Sequence, residues 1–320
     1  MSSMTKHDFS LRQLQYVVAV ADTKSFRQAA ERCGVSQTSL SAQVAKVEAA
    51  LKVQLFERDR RRVLITAGGS ELIECMRNVL VDADDVSIAA QRFLEPLAGT
   101  LRIGVIPTIG PYLLPTVAAT LRQELPRLTL AWLEDKTETL VRQIRHGSLD
   151  GAFLALEADI GDVTYEVITK DPFVLAVPPC HHLGNSSTPI PFSSLKGEHL
   201  LLLDEGHCFR DQVIEFCSGI GVYELGFRST SLPTLVQMAS ANMGITLLPL
   251  IAVPTETLRS DLVTRPIERP MPHRTIILAW RRQSALSVAM QKISQTVQRA
   301  IRDHSATEQP AVSGITGARA

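Results

Sequence analysis

Two cysteines in the second half of the chain, Cys208 and Cys217, have the clearest potential for chemistry. Cys208 directly follows His207 and precedes Arg210 by two positions, at the expected start of a helix. Positively charged neighbours and helix N-termini stabilise the thiolate, which is the reactive form of cysteine. The alternative is that both are ordinary buried cysteines, because cysteine is a common core residue. The spacing of the pair alone favours that alternative.

The separation of the two cysteines has a geometric consequence. If the segment between them is helical, a separation of nine residues places the sulfur atoms roughly 13 Å apart along the axis. A disulfide requires Cα atoms within about 7 Å of each other, so the segment would have to refold before the bond formed. A bond that needs such a rearrangement is suited to a conformational switch.

The remaining cysteines, Cys33, Cys75 and Cys180, are expected to have no redox role. Cys180 is followed by His181 and His182, a combination that suggests a metal site. Adjacent side chains rarely converge on one ion without ligands from distant positions. The sequence therefore predicts no metal ion and no cofactor.

Composition and charge limit the class of protein. The chain has 320 residues, 45% of them hydrophobic, which suffices for more than one domain. No run of about 18 apolar residues is present and the N-terminus does not follow the plan of a secretory signal, so we expect a cytoplasmic protein without a membrane partner. Residues 1–66 contain eleven Lys and Arg against six Asp and Glu, a net charge of +5, whereas the whole chain is neutral. A basic head of this kind fits a nucleic-acid partner.

The head and the segment after it differ in pattern. Residues 1–66 have helical periodicity and a basic end, and residues 67–97 keep apolar side chains at three-to-four spacing. A helix of about 30 residues is roughly 45 Å long and cannot bury its apolar stripe on a small head alone. The stripe therefore predicts pairing with a second copy. Its members are Leu72, Met76, Val79 and Phe93.

The rest of the chain has a different organisation. Residues 98–303 alternate strand-like and helix-like segments, which predicts βαβ units and mainly parallel sheets. Residues 304–320 are small and polar, and we expect a disordered tail.

The head has the spacing of a helix-turn-helix unit. Two short helices are joined through Gly34, whose backbone freedom suits the turn, and Ser25 with Gln28 predicts a capping box on the first of them. The second helix would enter the major groove of DNA with its first turn. That turn offers side chains that can contact bases or phosphates, namely Ser36, Gln37, Thr38, Ser39 and Ser41.

A charge-rich segment follows the helix pair and flanks a short apolar strand. It predicts a wing hairpin that lies on phosphates, and the alternative is a solvated turn. The candidate phosphate contacts are Arg12, Arg58 and Arg60–Arg62.

The head resembles that of LysR-type transcriptional regulators. The resemblance is carried by Val35-Ser36-Gln37-Thr38-Ser39-Leu40-Ser41, Gln43-Val44, Lys46-Val47-Glu48, Leu55-Phe56-Glu57-Arg58 and Leu64-Ile65-Thr66-Ala67-Gly68. It implies an α/β protein with an N-terminal winged helix-turn-helix and a long linker helix that dimerises. A two-lobed, periplasmic-binding-protein-like (type 2) α/β sensor domain is expected to follow. Family members often have proline where this chain has Thr38.

Further motifs are similar to the peroxide-sensing members of this family. They are Ile106-Pro107-Thr108-Ile109-Gly110-Pro111-Tyr112-Leu113-Leu114-Pro115, Gly206-His207-Cys208-x-Arg210-Asp211-Gln212 with Cys217 behind it, Thr230-Ser231-Leu232, Gly244-Ile245-Thr246-Leu247-Leu248-Pro249 and Arg274-Thr275-Ile276. The resemblance implies that hydrogen peroxide oxidises Cys208 to a sulfenic acid, that Cys217 resolves it as a disulfide, and that cellular thiol reductants reverse the bond. The implied peroxide pocket contains Thr108, Thr137, His207, Arg210, Asp211 and Arg274. The alternative roles of Thr137 and Arg274 are a helix cap and a surface ion-pair partner.

Three functions follow from these patterns. The first is a redox-switched transcription factor for antioxidant-defence genes, and the second is a LysR-type regulator that binds a small metabolite between its lobes. The third is an enzyme such as a thiol peroxidase, which the head argues against because catalysis does not require a helix-turn-helix. The resemblance implies double-stranded DNA operators, RNA polymerase and further copies of the chain, in a homodimer or homotetramer, as partners.

Overall fold

The computed structural model describes residues 8–58, 63–95, 97–186 and 188–308. The chain divides into two compact units, Met1–Gln91 and Arg92–Ala320. Within the described ranges, no helix is both long enough and apolar enough to cross a membrane.

Helices and strands alternate through most of the described chain. The helices are α1 (Leu11–Thr23), α2 (Phe26–Cys33), α3 (Gln37–Leu51), α4 (Ala67–Leu94), α5 (Gly110–Glu124), α6 (Thr137–Arg145), α7 (Cys208–Cys217), α8 (Leu232–Ser240), α9 (Val253–Glu256) and α10 (Ser287–Glu308). The strands are β1 (Phe56–Arg58), β2 (Val63–Ile65), β3 (Gly99–Val105), β4 (Leu128–Glu134), β5 (Gly151–Ala155), β6 (Val163–Val177), β7 (His199–Leu203), β8 (Tyr223–Ser229), β9 (Thr246–Pro249), β10 (Val263–Pro266) and β11 (His273–Arg281).

Side-chain caps define the helices of the N-terminal unit. Ser36 accepts a hydrogen bond from the backbone N–H of Ser39 at 3.2 Å, which starts α3. Ser25 caps α2 in the same way, but the full capping box of this unit forms at Ser10 and Gln13 of α1. Gly34 ends α2 with a φ of 66°, a left-handed conformation that favours glycine. The helix-turn-helix geometry predicted from the sequence is present.

The wing predicted after α3 is a short antiparallel hairpin. β1 and β2 pair in the register Phe56 with Ile65, Glu57 with Leu64 and Arg58 with Val63. Glu48 of α3 fixes the start of this hairpin, because its Oε1 accepts hydrogen bonds from two successive backbone N–H groups at the entry to β1.

The first turns of α4 complete the core of the N-terminal unit. Ile73 and Met76 are only 2% and 5% exposed within it. Met76 is therefore covered by its own head, and the expectation that it belongs to a stripe facing a second copy is wrong at this position. Val79 and Val86 of α4 are 46% and 70% exposed. The side chain of Phe93 lies outside the described part of the chain.

The C-terminal unit is built on a mixed sheet with strand order β10-β6-β11-β5-β3-β4, and β9 also pairs with β6. β3 is parallel to β4 and β5, whereas β11 is antiparallel to both β5 and β6. The prediction of mainly parallel sheets is wrong for these central strands. The chain leaves the first lobe along β6 and returns along β11, so the two strands must run in opposite directions.

β6 connects two lobes. Its first part pairs with β11 in the first lobe, and its last residues pair with β9 and β10 in the second. The second lobe also contains the parallel pair β7 and β8, which α7 connects as a βαβ unit. α7 packs on the core of this lobe through Phe209 and Val213, which are 2% and 1% exposed.

The end of the described chain differs from the sequence expectation. α10 continues to Glu308, so residues 304–308 are helical where a disordered tail was expected. Apolar residues at helical spacing bury one side of α10 and favour its continuation; Ile293 and Val297 are fully buried. The rest of the expected tail lies outside the described residues.

Candidate functional site

The two cysteines lie at opposite ends of one helix. α7 begins at Cys208 and ends at Cys217, and both thiols are free. The segment between the cysteines is helical, as the sequence prediction assumed. Its two ends are therefore roughly 13 Å apart along the helix axis. A disulfide between them would require α7 to unwind.

Cys208 lines a cleft of about 550 Å³ in the C-terminal unit. Burial raises the pKa of its thiol above the ordinary value, while the Thr137 hydroxyl and the Arg274 charge lower that pKa and Asp211 raises it. Burial is the largest of these effects, so the thiol is mostly protonated at neutral pH. The sequence predicted a stabilised thiolate, and that direction is wrong because burial outweighs the nearby positive charge.

His207 does not supply the positive charge that the sequence suggested. Its side chain is buried, and burial together with Lys136 lowers its pKa, although Asp204 and Asp211 act in the opposite sense. The imidazole is therefore neutral at neutral pH. Its Nε2 atom has no hydrogen-bond partner among the described residues, which leaves one polar atom available to a small polar ligand.

Arg210 is bonded to β7 and β8 and does not line the cleft at Cys208. Its guanidinium forms an ion pair with Glu224 of β8 at 2.8 Å and donates to the Leu203 carbonyl at 3.3 Å. The structure therefore does not bring Arg210 to Cys208, although the two are neighbours in sequence. Arg210 instead links α7 to the last residue of β7 and to the beginning of β8.

Arg274 supplies the positive charge that lowers the pKa of Cys208. It is fully buried on β11, where it lies directly opposite Asp171 of β6 and donates to its carboxylate at 2.9 Å. Its other nitrogens donate to the hydroxyl and the carbonyl of Thr108. The guanidinium also lies 5.8 Å from the ring centroid of Phe209, the residue after Cys208. The alternative of a surface ion pair is excluded by this burial.

Thr137 and Asp211 line the same cleft as Cys208. Thr137 is the first residue of α6, but its hydroxyl does not cap that helix, which has no side-chain cap bond. The hydroxyl is buried, lowers the pKa of Cys208, and forms no hydrogen bond within ordinary limits to the described residues. The alternative role as a helix cap is thus wrong.

Three residues near the site were given no role from the sequence, although Gln212 belongs to the cysteine motif. Lys136 donates to the Glu205 carbonyl at 2.7 Å and so joins the start of α6 to the loop before Cys208. Gln212 is 4% exposed, and neither atom of its amide has a partner within the described residues. Its position one helical turn after Cys208 was a signal that could have found it. Asp171 left no such signal, because only strand register places it opposite Arg274.

Cys217 is 5% exposed at the other end of α7. Burial raises the pKa of its thiol to about 11. The two thiols differ in their surroundings: Cys208 opens onto a polar cleft, whereas Cys217 belongs to the apolar core of the second lobe.

The N-terminal unit presents the predicted DNA-contacting side chains on its surface. Those exposed at the start of α3 are Ser36, Gln37, Thr38 and Ser39, and Ser41 is partly buried. Arg12 of α1 is exposed, and its Nε atom donates to the Tyr16 hydroxyl at 2.8 Å. The side chain of Arg58 and the whole of Arg60–Arg62 lie outside the described part of the chain.

Comparison with known families identifies both units. The LysR substrate binding domain matches residues 94–302, and the bacterial regulatory helix-turn-helix protein of the lysR family matches residues 11–70. The chain belongs to the LysR family of transcriptional regulators. This is a family of DNA-binding transcriptional regulators.

Relatives within the LysR family cover most of the chain. The DNA-binding transcriptional dual regulator OxyR of Escherichia coli is 39% identical over 92% of this chain and 97% of its own length. A probable hydrogen peroxide-inducible genes activator of Mycobacterium avium is 44% identical over 85% and 88%.

Solved structures agree with this assignment. A full-length OxyR mutant from Pseudomonas aeruginosa is similar with a TM-score of 0.76 and 34% identity, over 92% of this chain and 96% of that one. A hydrogen-peroxide-bound OxyR mutant from Corynebacterium glutamicum is similar with a TM-score of 0.65 and 31% identity, over 97% of both chains.

Proposed function

We propose that this LysR-family chain is a hydrogen-peroxide-responsive regulator in which Cys208 is oxidised and Cys217 resolves the product. The observation that carries the proposal is the placement of both thiols in one helix, with Cys208 on a polar cleft and Cys217 in the core. The names of the OxyR relatives agree with peroxide as the signal.

The first step is attack of the Cys208 sulfur on one peroxide oxygen. The S–O bond forms as the O–O bond breaks, and the leaving hydroxide takes up the thiol proton to give water, so that Cys208 becomes a sulfenic acid. In the second step the Cys217 sulfur attacks the Cys208 sulfur, and the S–O bond breaks to release a second water. The two thiols lose two electrons in total, and one peroxide becomes two water molecules.

Groups around the thiol can orient peroxide and stabilise the leaving oxygen. The buried His207 Nε2 atom has no hydrogen-bond partner among the described residues, and the buried Thr137 hydroxyl, which acts on the Cys208 thiol, has no hydrogen bond of ordinary geometry to them, so both can bond a small ligand at the thiol. Arg274 supplies positive charge, and it orients the Thr108 hydroxyl, which accepts its Nη1–H and can itself donate. Asp211 would keep the cleft polar, whereas Arg210 acts by holding α7.

The second step requires α7 to leave its helical form. Unwinding would detach Phe209 and Val213 from the core and break the ion pair between Arg210 and Glu224. Such a change in the second lobe would alter contacts between copies and re-space the DNA-binding heads on an operator. The regulated genes would be those of antioxidant defence, with RNA polymerase as the partner at the promoter.

The proposed function also implies a division into domains and a means of reducing the disulfide. The head would span residues 1–66, the dimerising linker 67–97 and the sensor 98–303, in a cytoplasmic homodimer or homotetramer. Cellular dithiols would restore the free thiols by exchange through a mixed disulfide.

Operator footprinting with and without dilute peroxide tests the proposal on wild type, Cys208→Ser and Cys217→Ser. We expect wild type to shift its footprint and lose two thiols, and Cys208→Ser to do neither. Cys217→Ser should react once and stop at a sulfenic acid that a dione reagent traps. If Cys208→Ser shifts its footprint as wild type does, the cleft is better explained as the binding site of a small metabolite.

A further inference from the structure

Two adjacent histidines in the second lobe meet a carboxylate from a different part of the chain. His181 and His182 follow β6, and Glu198 directly precedes β7. The Nε2 atom of His181 lies 3.2 Å from Oε2 of Glu198, and the Nε2 atom of His182 lies 3.1 Å from Oε1. One ligand atom from each residue can be chosen so that all lie within 4.8 Å of one another.

We propose that His181, His182 and Glu198 form a binding site for a divalent transition-metal ion of the zinc type. Two imidazoles and one carboxylate are a ligand set that Zn²⁺ and its borderline neighbours accept, with a water in the fourth position. Metal–ligand bonds of about 2.0–2.1 Å at tetrahedral angles place neighbouring ligand atoms roughly 3.3 Å apart. Each imidazole nitrogen lies close to that spacing from a different carboxylate oxygen, so an ion bound through one oxygen requires a small rotation of the Glu198 carboxylate or of the His182 ring.

Burial and stacking give the cluster a defined shape. The side chains of His181 and Glu198 are 18% and 15% exposed, whereas that of His182 is 67% exposed. The two imidazole rings have centroids 4.5 Å apart with an interplanar angle of 34°. Two ligands are therefore held by the protein, and the third lies on the solvent side, where an ion can enter and keep a water ligand.

Binding requires a defined change in the imidazole protons. In the absence of an ion, each Nε2–H can donate to the carboxylate. Coordination through Nε2 moves the proton of each ring to Nδ1, and no net proton is released from a neutral ring. In His181 this change removes the 3.3 Å hydrogen bond that Nδ1 accepts from the Leu183 N–H. That bond is long and therefore weak.

The sequence alone did not show that Glu198 lies next to the two histidines. The sequence predicted no metal because adjacent side chains rarely suffice, and Glu198 supplies a ligand from the far side of the intervening loop. Cys180 is not part of the set, because its thiol donates instead to the Asn242 side chain at 3.9 Å. The bound ion would cross-link the segment after β6 to the start of β7, and this inference is independent of the peroxide chemistry of Cys208.

A cobalt titration of the full-length chain tests the site. The protein is first stripped with a chelator and kept reduced, and Co²⁺ binding is followed by visible absorption, which is strong only for tetrahedral coordination. We expect one equivalent of Co²⁺ with tetrahedral bands, competed by Zn²⁺. His182→Ala removes a solvent-facing ligand without disturbing the core, so it should fold normally by circular dichroism and bind at least about tenfold more weakly.

Three control variants separate this site from other possible metal ligands in the chain. His199→Ala alters the neighbouring histidine, which stacks on Tyr223 outside the cluster, and should bind Co²⁺ as wild type does. Cys180→Ser and Cys208→Ser should also bind normally and without a sulfur-to-cobalt band. Wild type without tetrahedral bands, undiminished binding in His182→Ala, or binding lost in a cysteine variant would each overturn the assignment.

Discussion

Arg274 holds Thr108 through two hydrogen bonds, with Nη1 donating to the hydroxyl at 2.6 Å and Nη2 to the carbonyl at 2.8 Å. The same guanidinium is paired with Asp171 and lies against the ring of Phe209. A fully buried positive charge is thus fixed from several sides next to the helix turn that contains Cys208. Its effect on the thiol is electrostatic, because it lowers a pKa that burial raises.

The Thr108 hydroxyl can be tested without removing the buried charge. Thr108→Val keeps the side-chain volume and the carbonyl acceptor but removes a hydrogen bond to a charged group, which should lower the free energy of unfolding by about 1.5–3 kcal/mol. Oxidation of Cys208 by peroxide should slow by roughly tenfold or more if the hydroxyl positions the ligand. Urea unfolding and stopped-flow peroxide consumption measure the two effects.

Thr116→Val is the matched control, since its hydroxyl donates to the Tyr112 carbonyl within α5 and is not part of the proposed peroxide pocket. It should leave the oxidation rate unchanged. Equal rates in wild type and Thr108→Val would remove Thr108 from the peroxide pocket.

The pH dependence of oxidation should report a raised thiol pKa. Burial raises the pKa of Cys208 above its ordinary value of 9.0, so the thiolate fraction grows with pH throughout the neutral range. The rate should therefore increase about tenfold per pH unit between pH 6 and 8, without reaching a plateau. Rates from stopped-flow mixing across this range are the measurement. A plateau below pH 7 would instead show a stabilised thiolate.

The ion pair between Arg210 and Glu224 should slow the second step. It fastens the first turn of α7 to β8, so it must break if the segment between the cysteines unwinds. Glu224→Gln should leave sulfenic acid formation unchanged and accelerate disulfide formation several-fold. Quenched-flow alkylation with mass spectrometry separates the two steps. Arg228→Gln, which disturbs exposed pairs with Asp204 and Glu205, is the control and should change neither rate.

The buried amide of Gln212 should lower the stability of the folded protein and assist the oxidation of Cys208. Its polar atoms have no partner in the described structure, and an unsatisfied buried amide destabilises the folded state by about 1–3 kcal/mol. Gln212→Leu should raise the free energy of unfolding by about 1 kcal/mol while slowing peroxide oxidation. Gln237→Leu, which loses a bond to the Arg259 carbonyl, should not stabilise the protein. Faster oxidation in Gln212→Leu would contradict a role in the site.

Assembly should depend on the exposed face of α4 and not on its buried one. Val79→Asp alters a side chain that is 46% exposed, so it should keep its helix content while shifting the protein to monomer. Met76→Lys buries an unpaired charge in the head core and should unfold the head instead. Light scattering measures the mass, and circular dichroism measures the fold. A Val79→Asp protein of unchanged mass would place the copy contact elsewhere.

Local patterns in the sequence were sufficient for much of the fold. The Ser36 cap, the Gly34 turn and the β1–β2 hairpin depend on neighbours within a few residues, and the chain encodes them directly. The antiparallel return of β11 beside β6 was missed, because it depends on where the chain re-enters the first lobe.

The site was predictable in its residue types but not in its electrostatics. The family resemblance pointed to Cys208 and Thr137, yet sequence neighbours gave the wrong charge environment. Arg210 turns to Glu224, while Arg274, far away in the chain, reaches the thiol through strand pairing. Desolvation is a property of packing, so no sequence neighbour indicated that burial would dominate the pKa of Cys208.

The packing of α7 has a consequence for the redox balance of the cysteine pair. The helical form of α7 is stabilised by the packing of Phe209 and Val213 and by the Arg210 ion pair. This stabilisation would be lost when the disulfide forms. For a two-electron couple, about 1.4 kcal/mol corresponds to about 30 mV, so a more stable α7 gives the pair a more positive reduction potential. A well-packed helix thus makes the disulfide easier for cellular thiols to reduce. The apolar contacts of α7 would in this way determine how long the oxidised state lasts after peroxide has gone.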